Sequence, residues 1–311
     1  MIGACRAACF SLLFAATGAA AQIPPSAVAD ARAGRADAAI AQLKPLNNAV
    51  AQELLCKLYT SIEGRDAAIT ACESAVSLAP SNSDFALELA RVYGNKADHS
   101  GSLTGLRMVS KIRTNFEKAV QLNPKSVEAL SDLGQFYTQA PGMVGGGADK
   151  AREIVTRLQP LSAARSHRLA AMIAAKAKDD DTAENEYRAE LAAGRTPEAY
   201  VDIANFYRSR KQSDRAAENA KLALVADSHR GPDTLDAATI LIELQRPADA
   251  VEALREYLNT PQVGVSAYAQ AHVLLGNALK AMGDTAGAQK EFTAALSLAA
   301  NYDAARKGVA Q

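Results

Sequence analysis

Three groups of residues in this chain have types that could do chemistry, and the stretch QAPGMVGGGADKAREIV, Gln139 to Val155, comes first. Gly142 and Gly147 have the spacing of a phosphate-binding loop, G-x-x-x-x-G-K-[ST], whose backbone N–H groups cradle phosphates. The residues that follow are Ala148, Asp149 and Lys150, where that loop needs a lysine and then a hydroxyl. Asp149 would also place a carboxylate at a helix N-terminus, where the phosphate should sit. Upstream, LGQFYTQA has the pattern of a helix rather than the required strand. The stretch therefore reads as a turn: Pro141 stops one helix, the glycines supply backbone angles that other residues avoid, and Asp149 helps to start the next.

The second group is KDDDTAENE, with Asp179, Asp180 and Asp181 in a row. A calcium loop alternates its ligands around a central glycine and ends on glutamate, and this run does neither. Acidic residues opening a helix serve as caps and complement its dipole. The third group is the four histidines, His99, His167, His229 and His272. None lies at metal-ligand spacing, and none stands in a nucleophile–base motif. The cysteines show no C-x-x-C pair. No cofactor and no catalytic residue is implied.

The elements that position these residues are helices. Alanine is abundant, tryptophan is absent and aromatic residues make up 5 % of the chain, a composition that suits closely packed helices. In QAHVLLGNALKAMGDTAGAQKEFTAALSLA, the spacing of Leu275, Gly276 and Leu279, then Ala288, Phe292 and Ala295, gives one apolar stripe on each of two helices. The turn Met282-Gly283-Asp284 separates them. This unit resembles the tetratricopeptide repeat, a helical hairpin of about 34 residues. The same register recurs seven times, as at Leu55, Cys56, Tyr59, Ala68 and Pro80, and at Ile203, Ala204, Tyr207 and Ala216. The form APG, GGG, DKA around Gly142 is similar to an element of certain bacterial tetratricopeptide proteins.

The resemblance implies an all-α, right-handed α-solenoid of about seven helix pairs with capping helices. Residues 22–48 are expected to form an N-terminal capping half-repeat, 49–302 the solenoid, and 303–311 a C-terminal cap or tail. About ten extra residues near 94–111 and about five near 140–147 are expected as two inserted loops, side by side at one edge. In such repeats the first helix of each pair lines a concave groove that holds protein or peptide partners. The matching polar positions are Lys57, Arg91, Gln135, Asn205, Arg208, Asn277 and Lys280; each is equally well read as part of a solvated helix face. The lysine–asparagine clamp that holds a C-terminal carboxylate in one subclass is missing, since Glu53 with Lys57 and Val201 with Asn205 occupy its positions. In the repeat register Cys56 takes the small position of a first helix and Cys72 the facing position of the second. They are expected either to form a disulfide or to remain two buried thiols.

The first residues, MIGACRAACFSLLFAATGAAAQ, have the layout of a secretory signal peptide cleaved after Ala21. Export to the bacterial periplasm is the expected destination, and no span long enough to cross a membrane follows. Without Arg6 the chain's 34 basic residues become 33, against 34 acidic, so nothing marks it for nucleic acid. The expected role is a non-enzymatic protein-interaction scaffold of the cell envelope. The alternatives are a small-ligand receptor or enzyme with a pocket in the groove or under the insertions, and a passive or oligomeric spacer.

Overall fold

The computed structural model describes residues 22–310. The expected signal peptide, residues 1–21, lies outside the described residues. Among these, the regular elements are seventeen α-helices and one short 3-10 turn. A short pair, α1 (Pro25–Arg32) and α2 (Ala36–Leu43), is followed by seven longer ones. These are α3 (Ala49–Ser61) with α4 (Arg65–Leu78), α5 (Ser83–Asp98) with α6 (Ser102–Leu122), α7 (Val127–Gln139) with α8 (Ala148–Leu158), and α9 (Ala163–Lys176) with α10 (Asp180–Ala193). Then come α11 (Pro197–Ser209) with α12 (Ser213–Ala226), α13 (Pro232–Glu243) with α14 (Ala248–Asn259), and α15 (Tyr268–Ala281) with α16 (Thr285–Leu298). Helix α17 (Asp303–Val309) closes the chain. Residues 22–48 thus form a short complete hairpin and not the expected half-repeat, because Pro25 at the first position of α1 starts a helix that apolar spacing alone did not reveal.

Local chemistry sets the starts. The side chains of Asn48, Asn82, Ser126, Ser162 and Thr196 each accept a backbone N–H in the first turn of α3, α5, α7, α9 and α11, respectively. Small residues let the helices approach: a methyl group on Gly276 would lie 2.6 Å from Phe292, and one on Gly134 2.3 Å from Leu169. The buried core is built mainly of alanine and leucine, with Phe292 and Tyr302 its largest fully buried side chains.

In six of the eight hairpins the chain reverses through one left-handed residue: Gly34, Glu63, Lys178, Lys211, Gln245 or Gly283. The residue that follows it closes the helix end, as where Gln212 N–H donates 2.9 Å to the Tyr207 carbonyl. A side chain at such a position costs about 1 kcal/mol relative to glycine. Lys211→Gly is therefore expected to raise unfolding stability by up to about 1 kcal/mol, measured by urea titration.

Consecutive first helices pack on one another from α7 through α9, α11, α13 and α15 to α17, whereas the second helices of successive pairs make no comparable contact. The first helices therefore form the tighter inner layer and the second helices the outer one. The curvature brings the two ends together. Ser266 N–H donates to the Ala31 carbonyl at 3.1 Å, Ala300 N–H to Asp37 at 2.8 Å, and the Tyr302 hydroxyl to Glu63 at 3.2 Å. Instead of two separately capped ends, the solenoid has a seam.

The insertion near 94–111 is a correction to the expected loop. Its residues extend α5 to Asp98 and begin α6 at Ser102, leaving a three-residue connection. Amphipathic spacing in LTGLRMVSKI continues the helix despite Gly105. The insertion near 140–147 is irregular as expected, with a 3-10 turn at Gly142–Val144. Cys56 and Cys72 form a disulfide that joins α3 to α4, with Cα atoms 5.2 Å apart.

Candidate partner-binding surface

The inner layer is a ladder of charges between neighbouring first helices. Arg91 on α5 reaches Asp132 on α7 at 2.6 Å and lies 3.8 Å from Glu88. Arg168 on α9 pairs with Asp202 on α11 at 2.6 Å and also donates to Gln135 on α7 at 3.5 Å. Arg165 pairs with Glu198, Arg208 with Glu243, and Lys57 with Glu53 one turn back. Arg91, Gln135 and Arg208 thus all meet groups on adjoining first helices, and the ladder already occupies part of their hydrogen-bonding capacity. Asn205 is half-buried, and its side chain makes no hydrogen bond among the described residues. Asn277 and Lys280 are exposed on α15.

Several residues of this wall were not singled out by the sequence. Arg165, Arg168, Glu198 and Asp202 recur at three- or four-residue spacing on first helices, a signal visible only once the inner face is known. Glu190 comes from α10 behind the wall; it is 3 % exposed, and its Oε2 has no hydrogen-bond partner. Burial, then the charge of Asp202, pushes its carboxyl up to about 8. Burial, then Glu198 and Asp236, pushes Asp233 up to about 6, and Asp236 is raised by burial and by Asp202. Asp236 is reached by solvent yet desolvated by the protein around it, as a concave wall requires.

The sign for Glu190 follows directly. In the unfolded chain it titrates near the ordinary value of about 4.3, so between there and about 8 the folded state holds the extra proton. Its contribution is lost as pH rises through that window. Glu190→Gln is expected to leave stability nearly unchanged at pH 4 and to raise it at pH 9, by urea titration at both values.

Residues of both inserted stretches line one cavity. Arg113 on α6 donates to the Val144 carbonyl at 3.3 Å, and α5, α6 and α7 with Ala140 and Pro141 enclose a cavity of about 470 Å³. Its floor includes Ile112, Phe116 and Phe136, and its rim Asn95, Gln135 and Gln139. The triple glycine beside it is a packed turn. Gly147 N–H donates 2.8 Å to the Tyr137 carbonyl, and the Lys150 ammonium donates 2.9 Å to the Gly145 carbonyl, so the basic group of the would-be phosphate loop is engaged. Asp149 is fully exposed and pairs with Arg152.

The histidines have structural partners. His167 meets Glu186 at 2.7 Å and His272 meets Glu291 at 2.6 Å, equivalent first-to-second-helix contacts in two repeats. Among the described residues no group of histidines, cysteines or acids could hold a metal ion, and no helix is long and apolar enough to cross a membrane.

Residues 269–302, which span α15 and α16, match the family model described as tetratricopeptide repeat. No curated protein matches the chain significantly. Among solved structures, yeast Tom70 is similar with a TM-score of 0.52 at 15 % identity, covering 88 % of this chain and 58 % of that one. A tetratricopeptide protein of Thermus thermophilus has a TM-score of 0.47 at 20 % identity, covering 62 % of this chain and 99 % of that one. The fold is an all-α, tetratricopeptide-like solenoid of consecutive helix pairs.

Proposed function

We propose that this tetratricopeptide-like solenoid is a non-enzymatic scaffold of the bacterial cell envelope that binds a protein partner on its inner wall and on the edge where the insertions meet. Solenoids of this kind usually bind proteins, because stacked repeats offer a large preformed surface without ordering entropy on binding. The observation that carries the reading is the continuous inner layer of first helices, polar and charged along its length. Export to the periplasm is supported by the layout of residues 1–21 and by the Cys56–Cys72 disulfide, a bond that persists in oxidising compartments.

Two experiments test it. A photo-crosslinking amino acid at Asn205 or Gln139, but not at Glu252 on the outer helix α14, should trap the same protein in living cells. Equal trapping at all three positions overturns the inner-wall assignment. Residues 1–21 fused to a phosphatase that is active only outside the cytoplasm should give activity; an inactive, cytoplasmic fusion overturns export. A second reading, a small-ligand receptor, draws on the cavity of about 470 Å³, which is within the size range of ligand pockets.

A further inference from the structure

One glycine of the first inserted stretch has no packing reason to be a glycine. Gly94 lies inside α5, before its last turn, without a positive φ, a place where glycine weakens a helix relative to alanine. Neighbouring side chains hold Gly134 and Gly276 to glycine, but a methyl group on Gly94 would meet nothing within 4 Å. Gly94 lines the cavity of about 470 Å³ between α5, α6 and α7, so the missing side chain leaves that cavity open.

The cavity has two kinds of wall. Phe116 and Phe136, with ring centroids 6.4 Å apart, form an apolar floor together with Ile112. At the rim Arg91 and Asp132 neutralise each other, and Asp98 adds one carboxylate without an ion-pair partner among the described residues. A multiply charged ligand finds no match there. Gln135 and Gln139 bring amides to the same rim, and an amide both donates and accepts, as a peptide main chain does. They stand one helical turn apart, with Cβ atoms about 6 Å from each other, close to the roughly 7 Å between every second residue of an extended strand. The Gln139 side chain makes no hydrogen bond among the described residues, and Gln135 uses only its carbonyl oxygen, toward Arg168. Two residues beyond Pro141, which lines the cavity, Met143 is 91 % exposed, a flexible apolar side chain of the kind that adapts to partner surfaces.

We propose that this cavity is the anchor pocket for an extended segment of a partner protein, whose aromatic side chain enters over Phe116 and Phe136 while Gln135 and Gln139 hydrogen-bond its main chain. This rests on the reading of the insertion edge as a protein-binding surface. An extended strand turns alternate side chains to one side, so a single ring can fill the pocket while the backbone stays at the rim. The two phenylalanines offer the entering ring tilted contacts of the kind aromatic pairs favour.

The test uses the purified protein and the end-blocked pentapeptide Gly-Gly-Phe-Gly-Gly with a fluorinated ring, followed by fluorine NMR. Binding should saturate, and unlabelled Gly-Gly-Ala-Gly-Gly should compete about tenfold or more less strongly than Gly-Gly-Phe-Gly-Gly. Toluene, a ring without amides, should also compete less strongly than the phenylalanine peptide. Gly94→Leu fills the pocket and should weaken the labelled peptide about tenfold or more, with a urea midpoint that does not fall. Gly264→Leu adds the same side chain at another open position, outside the lining, and should leave binding unchanged. Gln139→Ala, at an exposed position, should weaken the peptide about threefold or more and covers a Gly94 variant that fails to fold. No saturable binding, an alanine peptide that competes equally, or full binding by Gly94→Leu overturns the proposal. Toluene competing as strongly as the phenylalanine peptide, with Gln139→Ala unchanged, also overturns it and leaves a small-ligand site. If crosslinking at Asn205 still traps a protein in any of these cases, the scaffold reading stands and only the anchor pocket falls.

Discussion

Removing the disulfide, by Cys56→Ala with Cys72→Ala or by reduction of the native chain, is expected to cost about 3 kcal/mol at the N-terminal end of the solenoid. The bond closes a loop with a sequence separation of 16, and its loss returns that loop's entropy to the unfolded chain. The two sulfurs also sit at the contact between α3 and α4, where Cys56 and Cys72 are at most 2 % exposed. A solenoid's stability is approximately a sum of repeat and interface terms, so the loss should be local. Hydrogen exchange after reduction should show protection falling first in α1 to α4, with α9 to α12, remote from both that hairpin and the seam, retained. Unchanged exchange throughout would mean that the helix contact alone holds this hairpin.

Gly146→Ala is expected to be the most damaging single change in the glycine-rich turn, costing about 3 kcal/mol. An added Cβ would lie 1.8 Å from the Ala140 carbonyl oxygen, a backbone atom that cannot rotate away. The turn would have to open, breaking the Gly147-to-Tyr137 hydrogen bond and the wall of the nearby cavity. Gly142→Ala meets nothing within 4 Å and serves as the matched control. Urea titration of the two variants gives the comparison; equal midpoints would refute the packing argument.

Much of this architecture is legible in the sequence because a repeat states the same rule several times. Leu275, Gly276, Leu279, Ala288 and Phe292 fix one hairpin, and the register they set places Cys56 opposite Cys72. The glycine-rich turn is legible for a similar reason, since it lacks the lysine and hydroxyl that phosphate chemistry demands. What the sequence hides is geometry between repeats. The ion pair between Arg168 and Asp202 joins residues 34 positions apart and is invisible until α9 and α11 are stacked. Glu190 belongs to a second helix, so a search confined to first helices passes over it. The extension of α5 and α6 was obscured by Gly101 and Gly105, turn-forming residues that here stand at the N-cap and inside a helix. The seam, finally, is the product of curvature accumulated over every hairpin, which no single segment encodes.

That seam changes the statistics of unfolding. A linear stack has two free boundaries, and thermal fluctuations unzip it inward from whichever end is weaker. When Ala31 holds Ser266 and Asp37 holds the 299–301 turn, the first and last units become nearest neighbours and the array acquires a periodic boundary. Each terminal unit must then give up two interfaces to melt, and a defect at one end is felt at the other. A chain joined in this way should lose its helices in fewer, larger steps than an open stack of the same length, with the hydrogen bonds of the seam as the place where the ring must first come apart.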